Sequence, residues 1–432
     1  MIARTSLRGL TALASLLGVS VLAIACASPN ADKHGVLADA SADEDRFADS
    51  QGDVQFGLDA TVIAESESGP SADESDTSMD VSVAADVAVR DVFAQPFAAT
   101  SIWNMPIGTG AVYVAAGIAP ATGTALEPDD DVIVLTPSAP ETQVIENNAD
   151  WDNTISRCPF DAGALLFQAP LPSGFVVPDP LPDTPNSGLA VLLADGRTIK
   201  QTQPFARCAA NAPATSHYLF EDVDIYGDGV TGAHGGSGLS AIGGTLRLGE
   251  LRPGGGAPRH VLKMELDASE NYYNDGVAGD CYRWPAVGCD GYFNDASSSL
   301  RYGGNHPSLR PGSLLALPSG ITVDSLALAT EPAQRIAWTL QNYGAYLVDD
   351  TAWSAYAMCV ENGAAGSFES QFETDWGFSF ATNGTGSPFA HDIETLVGAL
   401  AVVDNNTASN VGGGGAPLQP LAPPVASPPQ DQ

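Results

Sequence analysis

The chain has 432 residues, with 45 Gly, 31 Pro, 52 acidic side chains against 17 basic ones, and a formal net charge of −35. A hydrophobic content of 44% is that of a globular protein and excludes wholesale disorder. Only three lysines occur (Lys33, Lys200, Lys263), so no basic stripe can form, which excludes nucleic acid as a partner.

At the N-terminus, Arg4 and Arg8 precede an uncharged apolar run from Gly9 to Ile24. This run falls short of the ~20 residues of a bilayer span and reads as an export signal over 1–25. Ala23-Ile24-Ala25-Cys26 then resembles the lipobox of bacterial lipoproteins, with Ala23 where that family favours Leu. The resemblance implies that the Cys26 thiol receives diacylglycerol and anchors the mature chain to a membrane of the cell envelope, at the outer surface or in the periplasm. The same residues also fit the small-x-small cleavage site of an ordinary secretory signal. Residues 27–92 hold 16 acids and 3 bases and no Trp, Tyr or Cys. Such a segment cannot bury enough apolar area to offset chain entropy, so 26–92 is expected to be an acidic disordered tether, with a reach of roughly 45 Å.

Beyond the tether, short apolar runs bounded by Gly, Pro, Asp or Asn recur, among them Ala111–Ile118, Asp131–Leu135, Gly188–Ala194, His260–Leu266 and Ala345–Val348. In 261–267, Leu262, Met264 and Leu266 alternate with Lys263, Glu265 and Asp267, the pattern of a strand with one buried and one wet face. Two helices are expected. Thr330, Glu331 and Pro332 mark the start of one, and Ala333–Tyr343 places Ile336, Leu340 and Tyr343 on one stripe before Gly344. The other starts near Ser387-Pro388 and ends around Leu400. Trp338 and Trp353 are expected in or near the core, and His260 at a surface turn. The fold class is therefore mainly β: an antiparallel β-sandwich-like single domain over 93–408 with two covering helices, followed by a Gly/Pro-rich disordered tail over 409–432.

With Cys26 set aside, five cysteines remain. Spacing favours Cys281–Cys289 as a local staple and allows Cys158–Cys208, leaving Cys359 over. No Cys-x-x-Cys and no His-Glu-x-x-His occurs, so no zinc motif is read and no metal ligand is assigned. The spacing Asp224-x-x-Gly227-Asp228-Gly229 resembles half of a calcium loop, but Tyr226 and Gly235 stand at ligand positions, so calcium is carried only as a possible cofactor.

Two segments carry candidate chemistry. Asp224 and Asp228 precede the glycine-rich turn at His234, and Glu250 follows; these are the candidate acid/base groups, with His234 as proton shuttle. Residues 272–310 hold five of the eleven tyrosines together with Trp284, Arg283, Arg301, Arg310 and His306. Aromatic rings beside guanidinium groups suit a sugar, so Tyr282, Trp284, Tyr292, Arg301 and His306 are the candidate substrate-binding residues. The blocks His234–Glu250, Tyr302–His306 and Leu340–Asp350 resemble an uncharacterised family of exported bacterial β-rich proteins. That resemblance implies a single exported domain and no activity. The functional expectation is a protein that cleaves or binds extracellular polysaccharide or envelope glycan, as glycosidase or lyase. Its rivals are a non-catalytic adhesin or lectin-like module and a structural envelope protein.

Overall fold

The central strands are short runs of apolar residues rich in Val, Leu and Ala, and most are buried on both faces. In the computed structural model, residues 89–158, 163–182, 186–277, 279–382, 384 and 386–426 are described. All of them belong to the unit Gln51–Gln432. The export signal, Cys26 and the tether up to residue 88 lie outside the described residues.

A 12-stranded sheet forms the body, with the order Tyr113–Ala115, Ala401–Val403, Leu314–Ala316, Ala345–Asp350, Leu262–Leu266, Tyr356–Gly363, Leu126–Val134, Gly188–Leu192, Thr198–Gln203 and Tyr218–Leu219. Two further short strands pair with its members off this path. The sheet is mixed, not antiparallel as expected. Leu262–Leu266 runs parallel to Ala345–Asp350, and Leu126–Val134 runs parallel to both Tyr356–Gly363 and Gly188–Leu192. Parallel pairing needs a long crossover, and the 78 residues between Leu266 and Ala345, which hold loop, helix and the short strand Leu314–Ala316, provide one.

A three-stranded sheet of Leu165–Pro170, Glu141–Glu146 and Ala214–Ser216 packs on one face of the large sheet. Val144, Phe167 and Ala214 meet Val132, Val134, Leu189 and Val191 there. The residues between those, Ile133 and Ala190, point to the opposite face and join a second core with Trp103, Tyr346 and Ile242. The period of two thus assigns each strand residue to one of two cores.

The helix expected after Thr330 spans Glu331–Asn342, with Ile336 and Leu340 fully buried. The Thr330 hydroxyl does not cap it but donates to Asp392 Oδ2 at 2.5 Å, which ties this helix to the second one, Pro388–Gly398. That second helix is capped by Ser387, whose side chain accepts from the Ala390 N–H. A third helix, Phe368–Trp376, escaped the sequence reading although Ser367 caps it and Gly377 closes it at φ 75°. Both expected disulfides form, Cys158–Cys208 and Cys281–Cys289, and Cys359 is the free cysteine among the described residues.

The stretch read as a loose tail is folded back on the domain up to residue 426. Gly412 to Gly415 all have positive φ, so the chain turns where a side chain would be strained. Leu418 then donates to the Ile107 carbonyl, and Arg90 donates to the Pro423 carbonyl and pairs along Val425. Two other expectations also change: Trp353 is 56% exposed, and His260 is buried.

Candidate functional site

The four adjacent strands at the centre of the sheet put their polar residues on one face. Register brings Cys359 opposite Asp129 and Glu265 opposite Asp349, and the period of two adds Asp131 and Lys263 to the same side. This is the face that the alternation in 261–267 marks as wet. It is dry: Lys263 is 1% exposed and Glu265 3%. The cover is the glycine-rich stretch that follows His234. A Cβ on Gly243 would lie 2.3 Å from Trp103 Nε1, so only glycine lets this backbone lie flat on the ring. The strand Thr231–His234 leads into that cover and carries the His234 ring into the acidic face.

Asp131 is the hub. Its Oδ2 accepts from Lys263 Nζ at 2.7 Å and from Thr245 Oγ1 at 2.6 Å, and its Oδ1 lies 3.0 Å from His234 Nε2. Lys263 Nζ also donates to the Ser240 carbonyl at 2.9 Å and lies 2.8 Å from His234 Nε2. Burial pushes the Asp131 carboxyl up, but the Lys263 charge and His234 outweigh it and hold the group below its ordinary value. For its neighbours burial wins, although His234 and Lys263 also draw Asp129 down. Burial raises Asp129, Glu265 and Asp349, and mutual repulsion among the carboxyls pushes Glu265 and Asp349 well up. His234 Nδ1 is buried without a hydrogen-bond partner, 3.9 Å from Glu265 Oε1 and 4.0 Å from Asp349 Oδ2.

A more open rim adjoins this cluster. Tyr302 donates to Asp290 Oδ2 at 2.5 Å, Tyr292 donates to Asp350 Oδ2 at 2.9 Å, and Tyr272 donates to the Asp349 carbonyl. Burial, with the nearby Asp290 charge, pushes the Asp350 carboxyl up to about 7. The glycine turn closes on this rim: the Val287 N–H donates to the Ser237 carbonyl at 2.9 Å. A Cβ on Gly236 would sit 2.9 Å from Asp290 Oδ1 and 3.0 Å from Asp349 Oδ1. The neighbouring Gly235 is exposed, and a Cβ there would meet Trp151 at 3.8 Å. Trp151 packs on Tyr218 with ring centroids 5.1 Å apart, and His217 stands edge-on to Tyr218. An aromatic platform and a carboxylate rim thus flank the same turn.

Of the residues picked from sequence, His234 lies in the cluster and Tyr292 on its rim. The proposed acids do not join them. Asp224 pairs with Arg197 Nη2 at 2.6 Å at the sheet edge, where it faces Thr198. Asp228 accepts from Ser101 through its backbone carbonyl, and its side chain bends back towards Val230. Asp224 Oδ1 accepts from the Tyr226 N–H at 2.9 Å, so both oxygens of this side chain have partners within the chain. Glu250 is bound to His260 at 3.0 Å and to the Arg247 N–H. Tyr282 packs on the core beside the Cys281–Cys289 bridge, Trp284 packs on the second core, Arg301 donates to Asn294, and His306 lies against Gly117. The residues that sequence reasoning missed are Asp129, Asp131, Lys263, Glu265, Asp290, Asp349, Asp350 and Cys359. The available signal was acidic residues set inside apolar strand runs, as in Asp129-Asp130-Asp131-Val132-Ile133-Val134.

No family model matches the chain, and neither a curated protein nor a solved structure matches it. Two disulfides are the mark of an oxidising compartment. Among the described residues, no helix is long and apolar enough to cross a membrane.

Proposed function

We propose that this is an exported, lipid-anchored hydrolase of extracellular polysaccharide, built on a sandwich-like β body. The observation that carries the reading is the Gly235–Gly236 turn, which has the Trp151–Tyr218 platform on one side and the Asp290 and Asp349 carboxyls on the other. Flat rings hold the apolar face of a sugar, and paired carboxyls do the acid/base work of glycoside cleavage. Both carboxyls lie within 3.0 Å of one point, which caps the gap between their nearest oxygens at about 6 Å. That bound admits the roughly 5–5.5 Å of retaining enzymes and falls short of the 6.5–9.5 Å of inverting ones.

Asp349, whose carboxyl burial and neighbouring charges push well up, carries the proton as acid/base, and Asp290, the more exposed of the pair and bonded by Tyr302 and Tyr292, is the second carboxylate. Asp350 holds a proton up to about 7 and touches Tyr292, which also bonds Asp290, so Tyr292 is a positioning residue between the two acids. The test is a panel of neutral and acidic polysaccharides assayed for new reducing ends. The expected result is cleavage with retained anomeric configuration. It should be lost in Asp290→Asn, while Trp151→Ala raises KM and leaves kcat nearly unchanged. Unsaturated uronates among the products would mean elimination, and the hydrolase assignment would then be wrong. Neither cleavage nor binding across the panel would remove the carbohydrate reading altogether.

A further inference from the structure

Beneath the rim lies a donor set that the carbohydrate reading does not use. Asp129, His234, Glu265 and Cys359 each offer one ligand atom, and these atoms all lie within 4.8 Å of one another. Cys359 Sγ is 3.6 Å from Glu265 Oε1, 3.8 Å from Asp129 Oδ2 and 3.8 Å from His234 Nε2, the ring nitrogen that faces Asp131. With Zn–S near 2.3 Å and Zn–O or Zn–N near 2.0–2.1 Å, a tetrahedral site has sulfur-to-oxygen edges of ~3.6 Å. The two observed sulfur-to-oxygen edges match that figure within a few tenths of an ångström.

A second feature points to a ligand. His234 is 2% exposed, and its Nδ1 has no partner while facing Glu265 Oε1 at 3.9 Å. The other nitrogen, Nε2, lies 3.0 Å from Asp131 Oδ1 and 2.8 Å from Lys263 Nζ; with the ring proton on Nε2 it donates to Asp131, which is fixed in turn by Lys263 and Thr245. A carboxylate that receives one ring N–H and leaves the other nitrogen's lone pair free is the usual outer support of a metal-binding histidine. An idle buried nitrogen costs free energy, and so does a set of carboxyls with one ammonium among them. A divalent cation would remove both costs.

We propose that Asp129, His234 Nδ1, Glu265 and Cys359 bind one zinc ion in this chain. Thiolate and imidazole select a borderline transition ion, and they exclude calcium and magnesium, which take oxygen ligands. Asp129 is the partly exposed member and gives the ion its way in. The thiol gives up its proton on binding, which also explains how one cysteine stays unpaired in a chain whose other described cysteines are all bridged.

The experiment uses the full chain with its disulfides formed, stripped with a chelator and then titrated with Zn2+ or Co2+. The expected result is one ion per chain, a thiolate-to-cobalt charge-transfer band, and a zinc-dependent rise in Tm. Cys359→Ser should lose the band, and Glu265→Gln should weaken binding by at least the ~10–100-fold typical of disturbed metal sites. Circular dichroism on both variants checks that they fold, and the wild-type titration stands without them. Uptake well below one ion per folded wild-type chain overturns the proposal. So does uptake that both variants leave unchanged, because the ion would then sit elsewhere. Asp290→Asn separates this site from the carbohydrate reading: it should abolish cleavage and leave metal uptake intact.

Discussion

Lys263→Met is the sharpest probe of the buried face. The Lys263 side chain is fully buried and Asp131 is 1% exposed, with Nζ 2.7 Å from Oδ2. Methionine keeps the length and removes the charge, which leaves Asp131 with His234 and Thr245 as donors but no fixed cation. Breaking a buried pair by deleting one partner costs about 3–5 kcal/mol, because the remaining charge is uncompensated. That is a large share of the ~5–15 kcal/mol that stabilises a typical domain. The assay is urea unfolding of chelator-treated protein, comparing midpoints at constant slope. Lys263→Met should fall by about 3–5 kcal/mol, whereas Lys263→Met combined with Asp131→Asn should recover part of the loss by neutralising the orphan. Added salt should change little, since screening acts on exposed charges. A loss below ~1 kcal/mol, or a double variant no more stable than the single one, would show that the pair is not dry and that the face is wet after all.

The rim carboxyl and the two disulfides each carry a further expected outcome. Asp350 has a carboxyl pushed up to about 7 from an ordinary value near 4, so between those pH values the folded chain holds a proton that the unfolded chain has lost. Stability should therefore decline as pH rises from ~4 to ~7, by on the order of 3–4 kcal/mol at ~1.4 kcal/mol per pH unit, and Asp350→Asn should flatten that part of the profile; a wild-type curve that rises over the window contradicts the assignment. Removing Cys158–Cys208, with a separation of 50 residues, should cost about 4 kcal/mol, and removing Cys281–Cys289, with a separation of 8, about 2.5 kcal/mol in the chain-entropy view. Calorimetry on the two double-serine variants checks the order, and a larger loss for the short loop would mean that it is the native packing of the tyrosine segment that the bridge holds.

Local features were legible and long-range ones were not. Ser387-Pro388 and Thr330-Glu331-Pro332 announce helices because capping is written within a few residues, although the Thr330 hydroxyl serves Asp392 instead. The Gly412–Gly415 run reads as slack because glycine permits every conformation. What fixes it is Ile107 and Gly108, three hundred residues away in sequence. Strand direction was likewise hidden: a run such as Leu262–Leu266 has the same alternation whether its neighbour is parallel or antiparallel.

The polar face shows why alternation alone misleads. A period of two states which residues share a face, but not what covers it. Lys263 and Glu265 look like solvated residues until the glycine-rich stretch after His234 is laid over them, and that cover scatters Leu239, Ala241, Ile242 and Leu246 among its glycines with neither a helical nor a strand period to betray it. Such a face is poor material for stability, since hydrophobic residues of similar volume often replace a buried ion pair with no loss or with a gain of 1–4 kcal/mol. A chain with three lysines has nevertheless set one of them at 1% exposure among carboxyls drawn from three strands. Structural economy does not account for that arrangement, whereas a bound cation and a proton-carrying rim do. The chemistry of this molecule is therefore to be sought along the inner face around Asp131 and not in the acidic turn at Asp224 and Asp228.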